Sequence, residues 1–324
     1  MTSIVIAVRA AAAQVVCCAL GAALIAAFLP AAPAIAEQLS RTVAPYGGFG
    51  PEGQRMREQL WVVPSGDPAI AQRATLFRPE DGGAAGRYPL VVINHGTSES
   101  SRLSVSMPVY YWLSRWFVER GYAVLLPQRR GHGATGGTMA EAVGNCAQPD
   151  HHRSGVIAAK DIGAAIDFMT AQPDIDASRV LVVGISTGGW ASLALAAARP
   201  DLVTAVVNFA GGRGGHAYGK RAAVCGEDDL IASAQRYAAS ARAPTLWLYA
   251  ENDSYFGPAL AAKLASAWAA GGGLVEYDAL PAYGSEGHAI ADDRAGWGLW
   301  GARLELFLAQ NMKTAKEPVV AQGP

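Results

Sequence analysis

Apolar runs typical of buried strands alternate with helix-forming stretches along most of this 324-residue chain. Residues 90–93, Leu-Val-Val-Ile, form the clearest of these runs, because continuous apolar sequence is typical of strands covered on both faces of a parallel sheet. Strands that alternate with helices predict an α/β fold, with a mostly parallel central sheet and helices on both faces. Right-handed crossovers then bring the loops that follow the strands to one edge of the sheet.

The predicted strands of this series cover residues 90–93, 122–126, 180–183, 203–209, 245–249 and 274–277, and the predicted helices cover residues 109–119, 155–170, 189–198, 258–270 and 297–309. An antiparallel pair at residues 59–63 and 73–77 is predicted to precede them, because a cluster of turn formers separates the two runs. Residues 37–55 are rich in glycine and proline and predict an ordered arm or a loose leader. We expect residues 37–324 to form a single domain.

The first 36 residues differ from the rest of the chain. Arg9 is their only charge, residues 10–29 form an apolar stretch, and the Ala-Ile-Ala sequence at 34–36 fits a cleavage site. The pattern predicts a signal peptide cleaved after Ala36, which would make the mature protein secreted or periplasmic, with no stable membrane span. An uncleaved membrane anchor is the alternative, because the uncharged run is long enough to span a bilayer.

The charge balance argues against a nucleic-acid partner. The chain has 26 Lys and Arg against 27 Asp and Glu, a formal net charge of −1, and no basic stripe, whereas nucleic-acid-binding proteins concentrate basic side chains on one face. A small neutral or mildly polar molecule is the expected substrate.

Two cysteines, Cys146 and Cys225, remain once the leader is set aside. In an oxidising compartment an even pair of this kind predicts a disulfide. Two separate buried thiols are the alternative.

Residues 184–188, Gly-Ile-Ser-Thr-Gly, lie between the predicted strand 180–183 and the predicted helix 189–198. In this context a G-x-S-x-G sequence predicts a nucleophile elbow, in which small residues permit a tight strand-to-helix turn and a strained backbone projects the serine hydroxyl. Ser186, in the only such motif of the chain, is therefore the predicted nucleophile.

A serine hydroxyl needs a base to take its proton and an acid to orient that base. Asp253 follows the predicted strand 245–249 and His288 follows the predicted strand 274–277, so both are expected at the edge where the functional loops meet. The order Ser, Asp, His is the one used with this elbow. Glu251, in the same loop as Asp253, is the alternative acid.

Two backbone N–H groups are expected to stabilise the oxyanion. Thr187 directly follows the nucleophile, and Thr97 follows His95 and Gly96 in the loop after the strand 90–93. These are the two places from which such donors come. The chemistry requires no metal and no organic cofactor.

Together these residues resemble the dienelactone hydrolase-like and prolyl-oligopeptidase-like branch of the α/β-hydrolases. The resemblance runs from about residue 88 to residue 309, and it rests on residues 93–96 (Ile-Asn-His-Gly), 130–133 (Arg-Gly-His-Gly) and 184–189, with Asp253 and His288. It implies the α/β-hydrolase fold and a Ser-Asp-His triad. It also implies that residues 130–133 form a structural loop that braces the oxyanion strand, in preference to a substrate contact.

Two departures from that family shape the expected activity. Dienelactone hydrolase is known for a cysteine nucleophile where this chain has Ser186, and only residues 37–87 of the expected mature chain precede the matching region, too few for the propeller of large oligopeptidases. We therefore expect a carboxylic ester hydrolase acting on a small-molecule ester. A peptidase or amidase, and a non-catalytic binding protein on the same fold, are the alternatives.

The long interval between Ser186 and Asp253 predicts a cap over the pocket. Residues 211–242 begin with a glycine-rich tract at 211–215, expected to be a flexible loop, and continue into a helix-like piece that contains Cys225. We expect this segment to cap the pocket and the disulfide to tether it. Tyr255 and Phe256 are expected to line the pocket, with core packing as the alternative.

Overall fold

The computed structural model of the protein describes residues 46–80, 86–97, 102–103 and 107–312. The strands of this part of the chain are β1 Gly47–Phe49, β2 Gln59–Val63, β3 Gln72–Phe77, β4 Tyr88–Asn94, β5 Ala123–Gln128, β6 Ile175–Ile185, β7 Ala205–Phe209, β8 Thr245–Ala250 and β9 Val275–Leu280. The helices are α1 Tyr111–Val118, α2 His151–Thr170, α3 Thr187–Ala198, α4 Glu227–Ala238, α5 Pro258–Ala270 and α6 Trp297–Asn311.

The described strands form one sheet in the order β1-β2-β3-β5-β4-β6-β7-β8-β9. β1, β2 and β3 join the sheet by antiparallel pairing, and the strands from β5 to β9 pair in parallel. This confirms the predicted mostly parallel sheet with an antiparallel opening pair. β1 lies within the segment predicted as an arm, and it is a strand because Gly48 and its neighbours pair with β2.

Helices cover both faces of the sheet, as predicted, and each face has its own apolar core. Along β4, Val91 and Ile93 pack in one core with α1 and α6, and Leu90 and Val92 pack in the other with α2, α3 and α5. This alternation follows from the period of two in a strand. Because both faces are buried, the β4 sequence is apolar at every one of these positions.

The segment 211–242, predicted as a cap, has two different parts. Leu230, Ala234 and Tyr237 of α4 are buried in the same core as α2, α3 and α5, so this helix belongs to the layer on the sheet and the prediction is wrong for it. Residues 211–226 form a loop with a short 3-10 turn at Ala217–Gly219.

A disulfide joins Cys146, in the loop before α2, to Cys225, at the end of the loop 211–226. This confirms the predicted pairing and excludes two separate thiols. Cys225 is also held by its backbone, because its N–H donates to Gly214 O at 2.9 Å and its carbonyl oxygen lies 2.7 Å from His151 Nε2. The loop is therefore anchored at its carboxyl end.

The predicted signal peptide, residues 1–36, lies outside the described residues. No helix in the described part of the chain is long and apolar enough to cross a membrane.

Candidate active site

The carboxyl ends of the parallel strands meet at one edge of the sheet, and the predicted site residues follow four of these strands. Thr97 follows β4, Ser186 follows β6, Asp253 follows β8 and His288 follows β9. Ligands and reacting groups in open α/β sheets gather at this edge.

Ser186 occupies a sharp turn between β6 and α3. It follows Ile185, the last residue of the strand, and precedes Thr187, the first residue of the helix, with φ 56° and ψ −123°. Its N–H donates to Phe209 O of β7 at 3.0 Å, and its carbonyl oxygen accepts from Gly212 N at 3.1 Å. A non-glycine residue at positive φ costs about 1–3 kcal/mol and persists only where its surroundings enforce it.

Gly188, in the first turn of α3, lies directly against the carboxyl end of β4. A Cβ atom at this position would overlap the carbonyl oxygen of Asn94. The close approach places the loop after β4 beside Ser186, since a Cβ on Gly96 would lie 3.2 Å from Ser186 Cβ.

Asp253 holds His288 through a buried hydrogen bond. His288 Nδ1 lies 2.9 Å from Asp253 Oδ2, and the Asp253 side chain has no solvent exposure. Asp253 Oδ1 accepts from the N–H groups of Tyr255 at 2.7 Å and Phe256 at 3.0 Å. Glu251 is exposed, so Asp253 is the carboxylate that contacts the imidazole.

A short chain of contacts connects Ser186 to His288. Gly212, which donates to Ser186 O, packs against the ring of Phe256, so closely that a Cβ would lie 2.6 Å from Phe256 Cε1. The Phe256 ring centroid lies 5.8 Å from that of His288. Phe256 therefore lies against both the residue that donates to Ser186 O and the ring of His288.

The predicted oxyanion donors flank the elbow. Thr187 is the first residue of α3, so its N–H has no acceptor within the helix. Thr97 follows Gly96, whose own N–H donates to Tyr110 Oη at 3.1 Å. Gly96 N–H is therefore engaged by Tyr110, and Thr97 stays the predicted second donor.

The Thr97 side chain joins a buried polar cluster beneath the loop after β4. Its Oγ1 lies 2.9 Å from His132 Nε2 and accepts from Arg129 Nη2 at 3.3 Å. Arg129 Nη1 donates to His95 O at 2.9 Å, and its Nε donates to Glu141 Oε2 at 2.7 Å. His132 thus lies in a loop that braces the segment after β4.

Buried charges in this cluster are compensated by one another. Burial alone would raise the pKa of Glu141, but the charge and hydrogen bonds of Arg129, with smaller contributions from His132 and Arg213, lower it to about 2. Burial lowers the pKa of His95 well below its usual range and also lowers that of His132, with Arg129 adding to both shifts. Both imidazoles are therefore neutral near pH 7 beside an ion pair.

No sequence pattern predicted the ion pair between Arg129 and Glu141. A charged residue directly after a buried strand was the available signal for Arg129, since β5 ends at Gln128. Glu141 lies in an irregular segment with no local pattern.

The predicted pocket wall is only partly present. Phe256 is 1% exposed, so it packs in the core, which was the alternative for this residue. Tyr255 is half-buried, and its ring stacks on that of His288 with centroids 4.3 Å apart. The aromatic residues after Asp253 therefore pack against His288.

The fold and this edge define the α/β-hydrolase class. The model of the dienelactone hydrolase family matches residues 85–317. The chain belongs to this family. No curated protein sequence matches it.

Solved structures with the same fold include both peptidases and esterases. The acylaminoacyl peptidase of Pyrococcus horikoshii superposes with a TM-score of 0.56 at 16% identity, covering 87% of this chain and 44% of the peptidase. A puromycin-hydrolyzing peptidase of Mycobacterium tuberculosis superposes with a TM-score of 0.58 at 18% identity, covering 81% of this chain and 41% of the peptidase. An esterase of Pyrococcus furiosus superposes with a TM-score of 0.56 at 14% identity, covering 83% of this chain and 98% of the esterase. The chain thus spans less than half the length of these peptidases and nearly all of the esterase.

Gly188→Ala tests the contact between α3 and β4. We expect it to lower the free energy of unfolding by about 2 kcal/mol or more, because the added methyl group has no room. Gly298→Ala is the matched control: it also lies in a helix, and nothing lies within 4 Å of its Cβ position, so alanine should be neutral or stabilising by up to about 1 kcal/mol. Urea denaturation measures the free energy of unfolding of both variants. Equal changes in Gly188→Ala and Gly298→Ala would contradict the tight packing at Gly188.

Glu141→Gln tests the buried ion pair. We expect a loss of about 3 kcal/mol in unfolding free energy at pH 7, because Arg129 is left buried without its partner charge. The pKa of Glu141 is lowered from its ordinary 4.5 to about 2, so its contribution is fully present above pH 4.5 and is lost as the pH falls through about 2. Urea midpoints of wild type and variant should therefore converge over this range.

Glu305→Gln is the control for that experiment. Glu305 pairs with Arg120 on the surface, with 54% of its side chain exposed, and such pairs contribute at most about 1 kcal/mol. If Glu141→Gln lowers the free energy of unfolding no more than Glu305→Gln does, the cluster around Arg129 is not an essential brace.

Proposed function

We propose that this protein is a carboxylic ester hydrolase that acts through an acyl-enzyme on Ser186, with His288 as the base and Asp253 as the residue that orients it. The hydrogen bond between Asp253 and His288 Nδ1 carries the proposal. It holds the Nδ1 proton toward the carboxylate, so Nε2 is the nitrogen left to take the Ser186 proton. Because Tyr255 and Phe256 N–H groups fix the other carboxylate oxygen, the carboxylate cannot turn away.

In the acylation step, the Ser186 hydroxyl oxygen attacks the ester carbonyl carbon while its proton passes to His288 Nε2. The carbonyl oxygen becomes an oxyanion, which we assign to the N–H groups of Thr187 and Thr97. Collapse of this intermediate breaks the bond to the alcohol, and His288 returns the proton to the leaving oxygen. Water activated by His288 then hydrolyses the acyl-enzyme and restores Ser186.

A fluorophosphonate probe tests the nucleophile. We expect wild type to be labelled on Ser186, Ser186→Ala to be unlabelled, and Asp253→Asn to lose activity by roughly 10⁴-fold because the wrong tautomer of His288 is favoured. Ser240→Ala is a suitable control, since the hydroxyl of this exposed serine donates to Ala197 O and its loss should leave labelling unchanged. A folded wild type that takes no label would refute the proposal.

A peptidase or amidase is the second candidate, because two of the structures described above are peptidases. An amide with the same acyl group as the ester substrate separates the two candidates. Faster turnover of the ester by the labelled enzyme supports the esterase, and equal or faster turnover of the amide favours the alternative.

We also propose that the protein is exported and that residues 1–36 are its signal peptide. The disulfide between Cys146 and Cys225 supports this, because such bonds persist outside the reducing cytosol. N-terminal sequencing of protein recovered from outside the cytoplasm should begin at Glu37. A start at Met1 would indicate an uncleaved anchor.

A further inference from the structure

Three rings stack in a row at the active site. The centroids of His216 and Tyr255 lie 3.7 Å apart with their planes 11° from parallel, and those of Tyr255 and His288 lie 4.3 Å apart at 28°. Tyr255 therefore has an imidazole on each face. The outer one, His216, comes from the loop 211–226 and plays no part in the triad.

Hydrogen bonds tie His216 to the two loops that carry Asp253 and His288. Its Nε2 lies 2.8 Å from Ser254 Oγ, next to Asp253 in the chain. Ser254 Oγ donates in turn to Glu286 Oε2 at 2.5 Å. Glu286 Oε1 accepts from His288 N at 3.2 Å. The outer imidazole is thus fixed to the segments on either side of the base.

The backbone of the loop is arranged to bring this ring into place. His216 has φ 58°, a strained conformation for a residue other than glycine, and such strain is concentrated where function requires it. A Cβ on Gly215 would lie 3.0 Å from Tyr255 Cδ1. The glycine tract 211–215, expected to be a flexible loop, is therefore packed on the aromatic residues that follow Asp253.

The hydrogen bond to Asp253 fixes one atom of the His288 ring but not the tilt of its plane. A flat neighbour in van der Waals contact restricts that remaining motion, and Tyr255 can do so only if its own far face is also supported. Because a misplacement of about 1 Å can cost about 10²-fold in rate, this restriction bears directly on proton transfer.

We propose that His216 is a positioning residue that holds the His288 imidazole through the ring of Tyr255. The proposal rests on the proposed function, since the base matters only if Ser186 is the nucleophile. Loss of the His216 ring should slow turnover without changing how tightly the substrate binds.

His216→Asn removes the ring, and asparagine tolerates positive φ. We expect kcat on the ester to fall about tenfold, KM to stay within twofold, and fluorophosphonate labelling to slow in parallel. His216→Phe keeps a ring for stacking and should recover most of kcat. Tyr218→Ala is the matched control, because Tyr218 is in the same loop, also has positive φ, and is 80% exposed.

Unchanged kcat in His216→Asn would overturn the proposal, and so would an equal loss in Tyr218→Ala or a rise in KM with kcat intact. The double variant His216→Asn with Tyr255→Leu should be no slower than Tyr255→Leu alone, since both changes break the same stack. Additive losses would show that His216 acts by another route.

A readout without turnover separates this proposal from the proposed function. In Ser186→Ala protein, the NMR signal of the His288 ring carbon-bound protons should carry a ring-current shift from Tyr255, and His216→Asn should change it. An unchanged signal refutes the positioning role even if the esterase is active. A changed signal supports that role even where the wild type takes no label.

Discussion

The first turn of α3 lies against the carboxyl end of β4, and the arrangement of the candidate site at this edge of the sheet depends on this contact. Only a residue without a side chain fits at Gly188, so helix and strand approach closely enough to pin Ser186 between two loops. Gly96 lies on one side of it and Gly212 donates to its carbonyl oxygen on the other. A positive φ at the nucleophile survives because it is enforced from both sides.

Two buried carboxylates flank this turn, and the protein stabilises them by different means. Glu141 is paired with the guanidinium of Arg129, which keeps it ionised and makes the cluster a support for the loop after β4. Asp253 is held differently: two backbone N–H groups and His288 contact its oxygens. Under the proposed function, this carboxylate would stabilise an imidazolium that forms beside it.

Local sequence was enough to predict the frame of this site. α5 begins at Pro258 and ends at Ala270 as predicted, because proline at the first helical position and the apolar period both act within the element. The elbow was predictable for the same reason: its strand, turn and helix are contiguous. The pairing of His288 with Asp253 followed from strand order, which the alternation of elements determines.

What sequence could not predict depends on contacts between distant segments. Nothing in residues 47–49 favours a strand, and β1 exists only because β2 offers it a partner. α4 has the pattern of an amphipathic helix, but whether such a helix caps a pocket or joins a layer depends on what its apolar face meets. The glycine tract was misjudged for the same reason, since its glycines meet Tyr255, Phe256 and Cys225 far along the chain. Its composition suggested flexibility, and the packing gives rigidity.

That rigidity bears on how a substrate is chosen. The frame of β6, β8 and β9 is shared with peptidases and an esterase at 14–18% identity, so the frame alone cannot decide between amide and ester. Differences in the loops at the carboxyl edge of the sheet must then make the choice, and residues 211–226, between β7 and α4, form one of these loops. This loop is closed by the disulfide to Cys146 and rests on Tyr255. Because Tyr255 also contacts His288, a change in this loop also reaches His288. Under the proposed function, this arrangement would couple specificity to rate through one aromatic ring.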